Sequence, residues 1–234
     1  MKINLSPQST LSVEAFGNER QPVIVIDDAF EDPLGLVEDA CAKPFSQIGA
    51  YYPGLRAPLD KGSTLILIAS VEKMLEQHFN IASAQWDSEC FYSIVTTPPE
   101  ALAPIQRFPH YDGVEEQRLA ILCYLGKPEQ GGTAFYRHRS TGYETVSADR
   151  FNRFKQTLEA EVRQHGLPPP RYIEDGAPLF ERIGAVEARF NRMLIYRGFN
   201  LHCSVIDNAA PLPSDPREGR LTVNCFLKPS ATAG

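Results

Sequence analysis

The chain has no block of lysine or arginine, no run of apolar residues approaching ~18, and no C-x-x-C pair. Each absence excludes something. Without a basic block, and with a net charge of −6, there is no electrostatic footprint for nucleic acid or an anionic membrane surface. Without a long apolar run there is no candidate transmembrane helix. The first residues, MKINLSPQSTLSVEAF, lack the continuous apolar core of a secretion signal, so a cytoplasmic location is expected. The five cysteines, Cys41, Cys90, Cys123, Cys203 and Cys225, are odd in number and scattered. They fit neither a disulfide framework nor a zinc knuckle; most lie in apolar segments such as ILCYL and VNCFL, where a reduced Cys packs as a small hydrophobe. Repeats and low-complexity tracts are also missing. What remains is an ordinary globular composition, 43% hydrophobic and 22% charged over 234 residues, enough to bury the core of a single domain, 1–234.

The pattern divides this domain in two. Residues 1–89 read as an α/β support: a buried strand PVIVIDDAF, a helix from about Asp32 to Ala42, a Pro- and Gly-rich loop YYPGLRAPLD, and a helix capped by Ser63 running to Phe79. From Cys90 to about 228 the chain reads as strands, CFYSIVTT, QRFPHYD, LAILCYLG, GGTAFYRH, RMLIYRG, HCSVID and RLTVNCFL, an antiparallel core. Gly131-Gly132 is expected to turn LAILCYLG and GGTAFYRH into a hairpin. A helical insertion, about 147–183, interrupts the strands; its spacing of Phe151, Phe154, Leu158 and Val162 is that of an amphipathic helix, followed by a short second helix ending near Ile183. Such an insertion serves either as a substrate lid or as a helix packed on the exterior.

The residues that carry chemistry begin with His110-Tyr111-Asp112. On a strand, His-x-Asp places two ligands on one face because side chains alternate. His202 lies ninety-two residues later and reaches them only if the chain folds back. Two imidazoles and one carboxylate form the facial triad of non-haem Fe(II) oxygenases, which leaves coordination positions open for reactants. Further on, Arg220, Thr222 and Asn224 share one face of the last strand, and a charge turned into a core needs an anionic partner. An Arg beside a hydroxyl suits a carboxylate, which it grips by paired charge-assisted hydrogen bonds.

In this order the motifs resemble the iron(II)/2-oxoglutarate-dependent oxygenase superfamily, in its prolyl-hydroxylase-like branch, and most nearly an uncharacterised bacterial family within it. The resemblance rests on His110-x-Asp112, Tyr124-Leu125, Gly131-Gly132-x-x-Phe135, the LIY strand before His202, and Arg220-x-Thr222. It implies an α+β fold with a double-stranded β-helix (jelly roll) core, the N-terminal α/β segment packed outside and the helical insertion between core strands. It further implies that His110, Asp112 and His202 hold Fe(II). Arg220, Thr222 and Tyr124 would bind the far carboxylate of the co-substrate 2-oxoglutarate. The implied reaction hydroxylates a small molecule, an amino acid or a protein side chain, and releases succinate and carbon dioxide. Halogenating relatives replace the carboxylate ligand with a small residue, so Asp112 favours hydroxylation. Two features depart from the pattern: Arg220 lies eighteen residues beyond His202 rather than about ten, and the insertion exceeds what a minimal core requires.

Substrate candidates are Tyr136, Arg137 and His138, which leave a strand together, and Arg56 in YYPGLR; each suits a carboxylate or phosphate. His78 and His165 read as helix-end residues, and Asp27-Asp28 and Glu115-Glu116 as solvated charge. Two other functions use the same residues. A zinc-dependent hydrolase could employ the triad, but it gives Arg220 and Thr222 no task. A non-catalytic jelly-roll binding module would have lost a ligand or the Arg, and none is missing.

Overall fold

The computed structural model describes residues 3–127, 131–175 and 177–230. Two antiparallel sheets face each other with helices on their outer faces. The larger sheet has seven strands in the order β1-β2-β8-β5-β10-β4-β3. These are β1 (Thr10–Ala15), β2 (Pro22–Asp27), β3 (Gly54–Pro58), β4 (Trp86–Val95), β5 (Leu119–Tyr124), β8 (Arg192–Arg197) and β10 (Leu221–Pro229). The smaller sheet runs β7-β6-β9, with β6 at Thr133–His138, β7 at Phe180–Val186 and β9 at His202–Ser204. Among the described residues no helix is long and apolar enough to cross a membrane.

Alternation along β10 decides what goes where. Leu221, Val223, Cys225 and Leu227 point outward into the main core, shared with helices α1 (Pro33–Cys41) and α2 (Lys61–Phe79). Thr222, Asn224 and Phe226 are therefore left facing the space between the sheets, where Leu122, Tyr124, Leu194 and Tyr196 of the large sheet meet Phe135 and Val186 of the small one. The outer face of the small sheet is covered by α3 (Ala148–His165), through Phe154 against Ala134, Tyr136, Phe180 and Cys203.

Several elements differ from the sequence expectation, each for an identifiable reason. The N-terminal segment does not only pack outside: β1, β2 and β3 extend the large sheet at both edges. YYPGLRAPLD contains β3, a half-exposed edge strand preceded by Pro53 and ending on Pro58, positions where missing N–H groups are tolerated. The helix cap is Asp60, whose Oδ1 accepts from the Ser63 N–H at 2.9 Å, one turn before the Ser63 expected to cap. Residues 180–183 continue as β7 rather than a second helix, paired with β6. The expected hairpin at Gly131-Gly132 is absent, because β5 and β6 belong to opposite sheets. The glycines serve close approach instead: a Cβ on Gly131 would meet the Val205 carbonyl at 1.7 Å, and one on Gly132 the Val186 carbonyl at 2.0 Å.

Charges and thiols also differ in part from the sequence expectation. Asp27, a third of its side chain exposed, also receives a two-pronged bond from Arg192, at 2.6 and 2.8 Å, and that contact holds its carboxyl below the usual range. Glu115 accepts from Arg118 at 3.0 and 2.8 Å. Cys90 and Cys225, directly opposite on β4 and β10, form a disulfide, whereas Cys41, Cys123 and Cys203 are free. That pairing is a matter of cross-strand register, which the spacing of 135 residues does not announce.

The N-terminal segment is stapled to the core by Asn191, a buried residue in left-handed backbone (φ 62°) just before β8. Its Oδ1 accepts from the Phe30 N–H at 2.9 Å and its Nδ2 donates to the Phe30 carbonyl at 3.0 Å. Asn191→Ala removes both bonds from a dry site and puts a Cβ-only side chain in left-handed backbone, and should cost about 2–4 kcal/mol. Urea unfolding of the two proteins measures it.

Candidate metal centre

His110 and His202 meet through an isolated antiparallel bridge, each donating its backbone N–H to the other's carbonyl at 2.9 and 2.8 Å. This bridge adds one residue beyond β9. The expected strand through His110-Tyr111-Asp112 is reduced to it, since Asp112 lies in a bend whose N–H donates to the Gly198 carbonyl at 2.7 Å. A Cβ on Gly198 would come within 3.3 Å of the Asp112 Cβ and 3.1 Å of Arg118, so this approach is made for glycine. Tyr111, between the two, turns the other way and packs edge-on against Phe151 and Phe154 of α3, at 6.5 and 6.0 Å.

The three side chains converge. Nε2 of His202 is 3.5 Å from Asp112 Oδ2, Nε2 of His110 is 3.7 Å from Oδ1, and one donor atom from each lies within 4.8 Å of the others. The two imidazole–carboxylate distances fall within the roughly 4.2 Å that donors about 2.1 Å from one ion can span, so the cluster could hold a metal. The His202 Nδ1 donates to the Asn200 carbonyl at 2.8 Å; the carbonyl can only accept, so Nε2 carries the lone pair turned toward Asp112. Asp112 Oδ2 is buried and has no hydrogen-bond partner, a costly state for a carboxylate that a cation relieves. His110 presents half its side chain (52%) to the cleft; desolvation, with the neighbouring His202 imidazole and the charge of Arg56, holds its own imidazole well below the usual range, which favours the neutral form that can ligate. Desolvation raises Asp112, opposed by His202, Arg56 and Arg118.

The interior face of the large sheet continues the site. Register sets Arg56 beside Ser93, Ser93 beside Thr222, and Thr222 beside Tyr124, one row across β3, β4, β10 and β5. Two residues along the strands comes Phe91, Asn224 and Leu122, and two further Phe226, Ala120 and Tyr196. The Tyr196 ring lies 4.8 Å from that of His202, so the last row reaches the triad. Arg220, 4% exposed, donates from Nη2 to the Gly132 carbonyl at 3.0 Å, with its guanidinium 5.6 Å from the Tyr124 ring. The Tyr124 hydroxyl is 2.7 Å from Thr133 Oγ1 across the gap between the sheets.

Three residues not singled out for the site also face it. Tyr52 Oη and Ser93 Oγ are buried without a completed hydrogen bond, as is Asn224 Oδ1, which had been placed only by face. Tyr52 and Ser93 carry no motif; the β4–β10 register sets Ser93 beside Thr222, and Tyr52 comes in from the loop just before β3. Of the substrate candidates, Arg56 reaches this cleft and the other three do not. Tyr136 and His138 point to the outer face of the small sheet. There Tyr136 packs against Cys203, while His138, fully buried, meets Thr141 Oγ1 at 2.9 Å and Glu161 Oε2 at 2.8 Å. Arg137 is spent on Glu144 and Glu181, the latter at 2.9 Å. These three tie α3 and the loop after β6 to the sheet.

Two facing antiparallel sheets with a His-Asp-His cluster in the cleft between them make a protein of mixed α/β construction with a candidate metal site. Residues 7–227 match the model of a family of unknown function, DUF6445, and the chain belongs to that family. No curated protein matches it. Similar solved structures include HygX from Streptomyces hygroscopicus with nickel and 2-oxoglutarate bound (11% identity, TM-score 0.49, 91% of this chain and 84% of that one). EvdO2 from Micromonospora carbonacea var. aurantiaca is another (12% identity, TM-score 0.49, covering 94% and 96%). A third is an N-substituted L-amino acid dioxygenase from Burkholderia ambifaria (14% identity, TM-score 0.43, covering 97% and 96%).

The Tyr111–Phe154 contact makes α3 a support for the triad. Phe154→Ala should cost ~3–5 kcal/mol in urea unfolding and weaken zinc binding measured by calorimetry. Phe154→Leu, which keeps most of the volume, should restore most of both.

Proposed function

We propose that the chain is an Fe(II)/2-oxoglutarate-dependent dioxygenase that hydroxylates a small molecule, an amino acid or a protein side chain, with release of succinate and carbon dioxide. The observation that carries this reading is a pair of features in one cleft: three converging metal donors at its mouth and a buried Arg-Thr-Tyr set deeper in. The strand order supports it. In chain order, β4, the His110 bridge, β5, β6, β7, β8, β9 and β10 occupy β8-β5-β10-β4 in one sheet and β7-β6-β9-bridge in the other. We take this as a double-stranded β-helix within a single domain, 1–234, with 1–89 as support and 90–228 as core.

His110, Asp112 and His202 would hold the iron. Iron held there supplies oxygen activation coupled to oxidative decarboxylation of the co-substrate. Arg220 would take the distal carboxylate of 2-oxoglutarate, the Thr222 hydroxyl would donate to it, and Tyr124 would orient the guanidinium beneath its ring. Phe135 and Tyr196 enclose the His202 ring and keep water from that side of the centre. Asp112 fills the position a halide would need, which favours hydroxylation over halogenation.

Loaded anaerobically with Fe(II), the protein should develop a weak visible metal-to-ligand charge-transfer band on adding 2-oxoglutarate. Asp112→Ala should abolish succinate formation. Absence of the band and of succinate, with zinc firmly retained, would replace this reading by a zinc hydrolase. Arg220→Ala should raise the 2-oxoglutarate concentration needed for the band steeply, corresponding to ~2–5 kcal/mol for a lost buried charged partner. An unchanged requirement removes Arg220 from the co-substrate site.

A further inference from the structure

Arg56 is a cation in an aromatic cage without an anion. Its guanidinium carbon lies 4.2 Å from the Tyr52 ring centroid, 5.3 Å from that of Phe91 and 5.8 Å from that of Phe226. Its Nε is buried with no hydrogen-bond partner. Among the described residues its guanidinium enters no ion pair. Of the acidic groups whose charge it feels, Asp112 belongs to the triad, and neither Asp112 nor Glu89 comes within ion-pair distance. The side chain leaves the Ser93–Thr222 row and lies over Phe91 and Phe226, which belong to the rows nearer Tyr196 and the triad.

Such an arrangement is expensive as architecture. A partly desolvated guanidinium with a buried, unmet Nε–H costs stability unless an acceptor arrives, and three rings crowd around it. The planar fork matches a carboxylate by paired N–H···O bonds, where a compact lysine ammonium would not. Building on the dioxygenase reading, both carboxylates of 2-oxoglutarate already have partners, one at the metal and one at Arg220. We infer that Arg56 anchors a carboxylate of the prime substrate, so that the substrate is a carboxylic acid whose adjoining carbons lie against Phe91 and Phe226, beside the metal. The cage thus limits the substrate to acids with an apolar body next to the carboxylate.

The test observes Arg56 directly. Nitrogen-15-labelled protein is loaded with Zn(II), which is diamagnetic and does not turn over, and saturated with 2-oxoglutarate. The Arg56 Nε–H resonance is assigned by its loss in Arg56→Lys. Benzoate and N-acetylglycine should then shift this resonance saturably, and benzamide, the neutral counterpart, should not. Arg56→Lys should weaken benzoate binding roughly tenfold, because the fork is lost, while leaving 2-oxoglutarate binding unchanged. If 2-oxoglutarate alone saturates the shift, Arg56 belongs to the co-substrate and the inference fails. If no carboxylate moves it, Arg56 is a structural cation and the inference fails equally. Failure of the dioxygenase reading is seen separately, as absence of any 2-oxoglutarate-induced change at the Arg220 resonance.

Discussion

The two backbone hydrogen bonds between His110 and His202 are the constraint on which the rest of the structure depends. They fix two imidazoles side by side, with ring centroids 4.4 Å apart, by pairing the main chain rather than by any contact between the rings. A one-residue slip in this bridge would turn one ring to the outside, since strand side chains alternate. The surrounding fold prevents the slip from both ends. His202 is the first residue of β9, locked opposite Phe135 on β6, and Asp112 is tied two residues on to Gly198 at the end of β8. Tyr111 then anchors the outward side under α3.

This economy explains the distribution of unsatisfied polar atoms. Buried side-chain polar groups are normally bonded. Among the described residues six such atoms are not, and five belong to Tyr52, Arg56, Ser93, Asp112 and Asn224, all on the cleft side of the large sheet or at the triad. Elsewhere the interior charges are met: Arg192 by Asp27, Arg137 by Glu144, His138 by Glu161. Among the described residues only Asn200 Oδ1 is left unmet outside the cleft, so the unmet groups concentrate where something can enter.

How much of this could be read from the chain depends on whether the signal was local. His110, Asp112 and His202 were legible because residue type and order carry the chemistry, even though the strand proposed for them is a single bridge and a bend. The face of β10 was legible from alternation alone, which put Arg220, Thr222 and Asn224 inside. Tyr136, Arg137 and His138 were not, because YRHR continues β6 to its end, and period two sends Tyr136 and His138 outward while Arg137 finds its acids in distant segments. Gly131-Gly132 stood out as a place that needs glycine, but the hairpin expected there does not form; what needs glycine is the close approach of the Val205 and Val186 carbonyls. The Cys90–Cys225 pairing and the Tyr52–Ser93 meeting depend on register between strands far apart in sequence.

The two departures from a compact core prove to be related. The eighteen residues from His202 to Arg220 and the limb of the insertion after α3 converge on one place. Ile206 and Leu212 from the first pack with Tyr172 from the second, together with Val95, Leu102 and Tyr52. Asn208 binds both ends of the Tyr172 peptide, accepting from its N–H at 2.8 Å and donating to its carbonyl at 3.1 Å, and the Tyr172 hydroxyl donates to the Thr97 carbonyl at 2.6 Å. Tyr52 joins this cluster to the cleft, since its ring also lies 4.2 Å from the Arg56 guanidinium. The helix of the insertion, in turn, lies on the outer face of the small sheet and supports Tyr111. The inserted helix thus braces the triad from outside, while the residues after His202 and those after α3 hold each other in the cluster beside Tyr52.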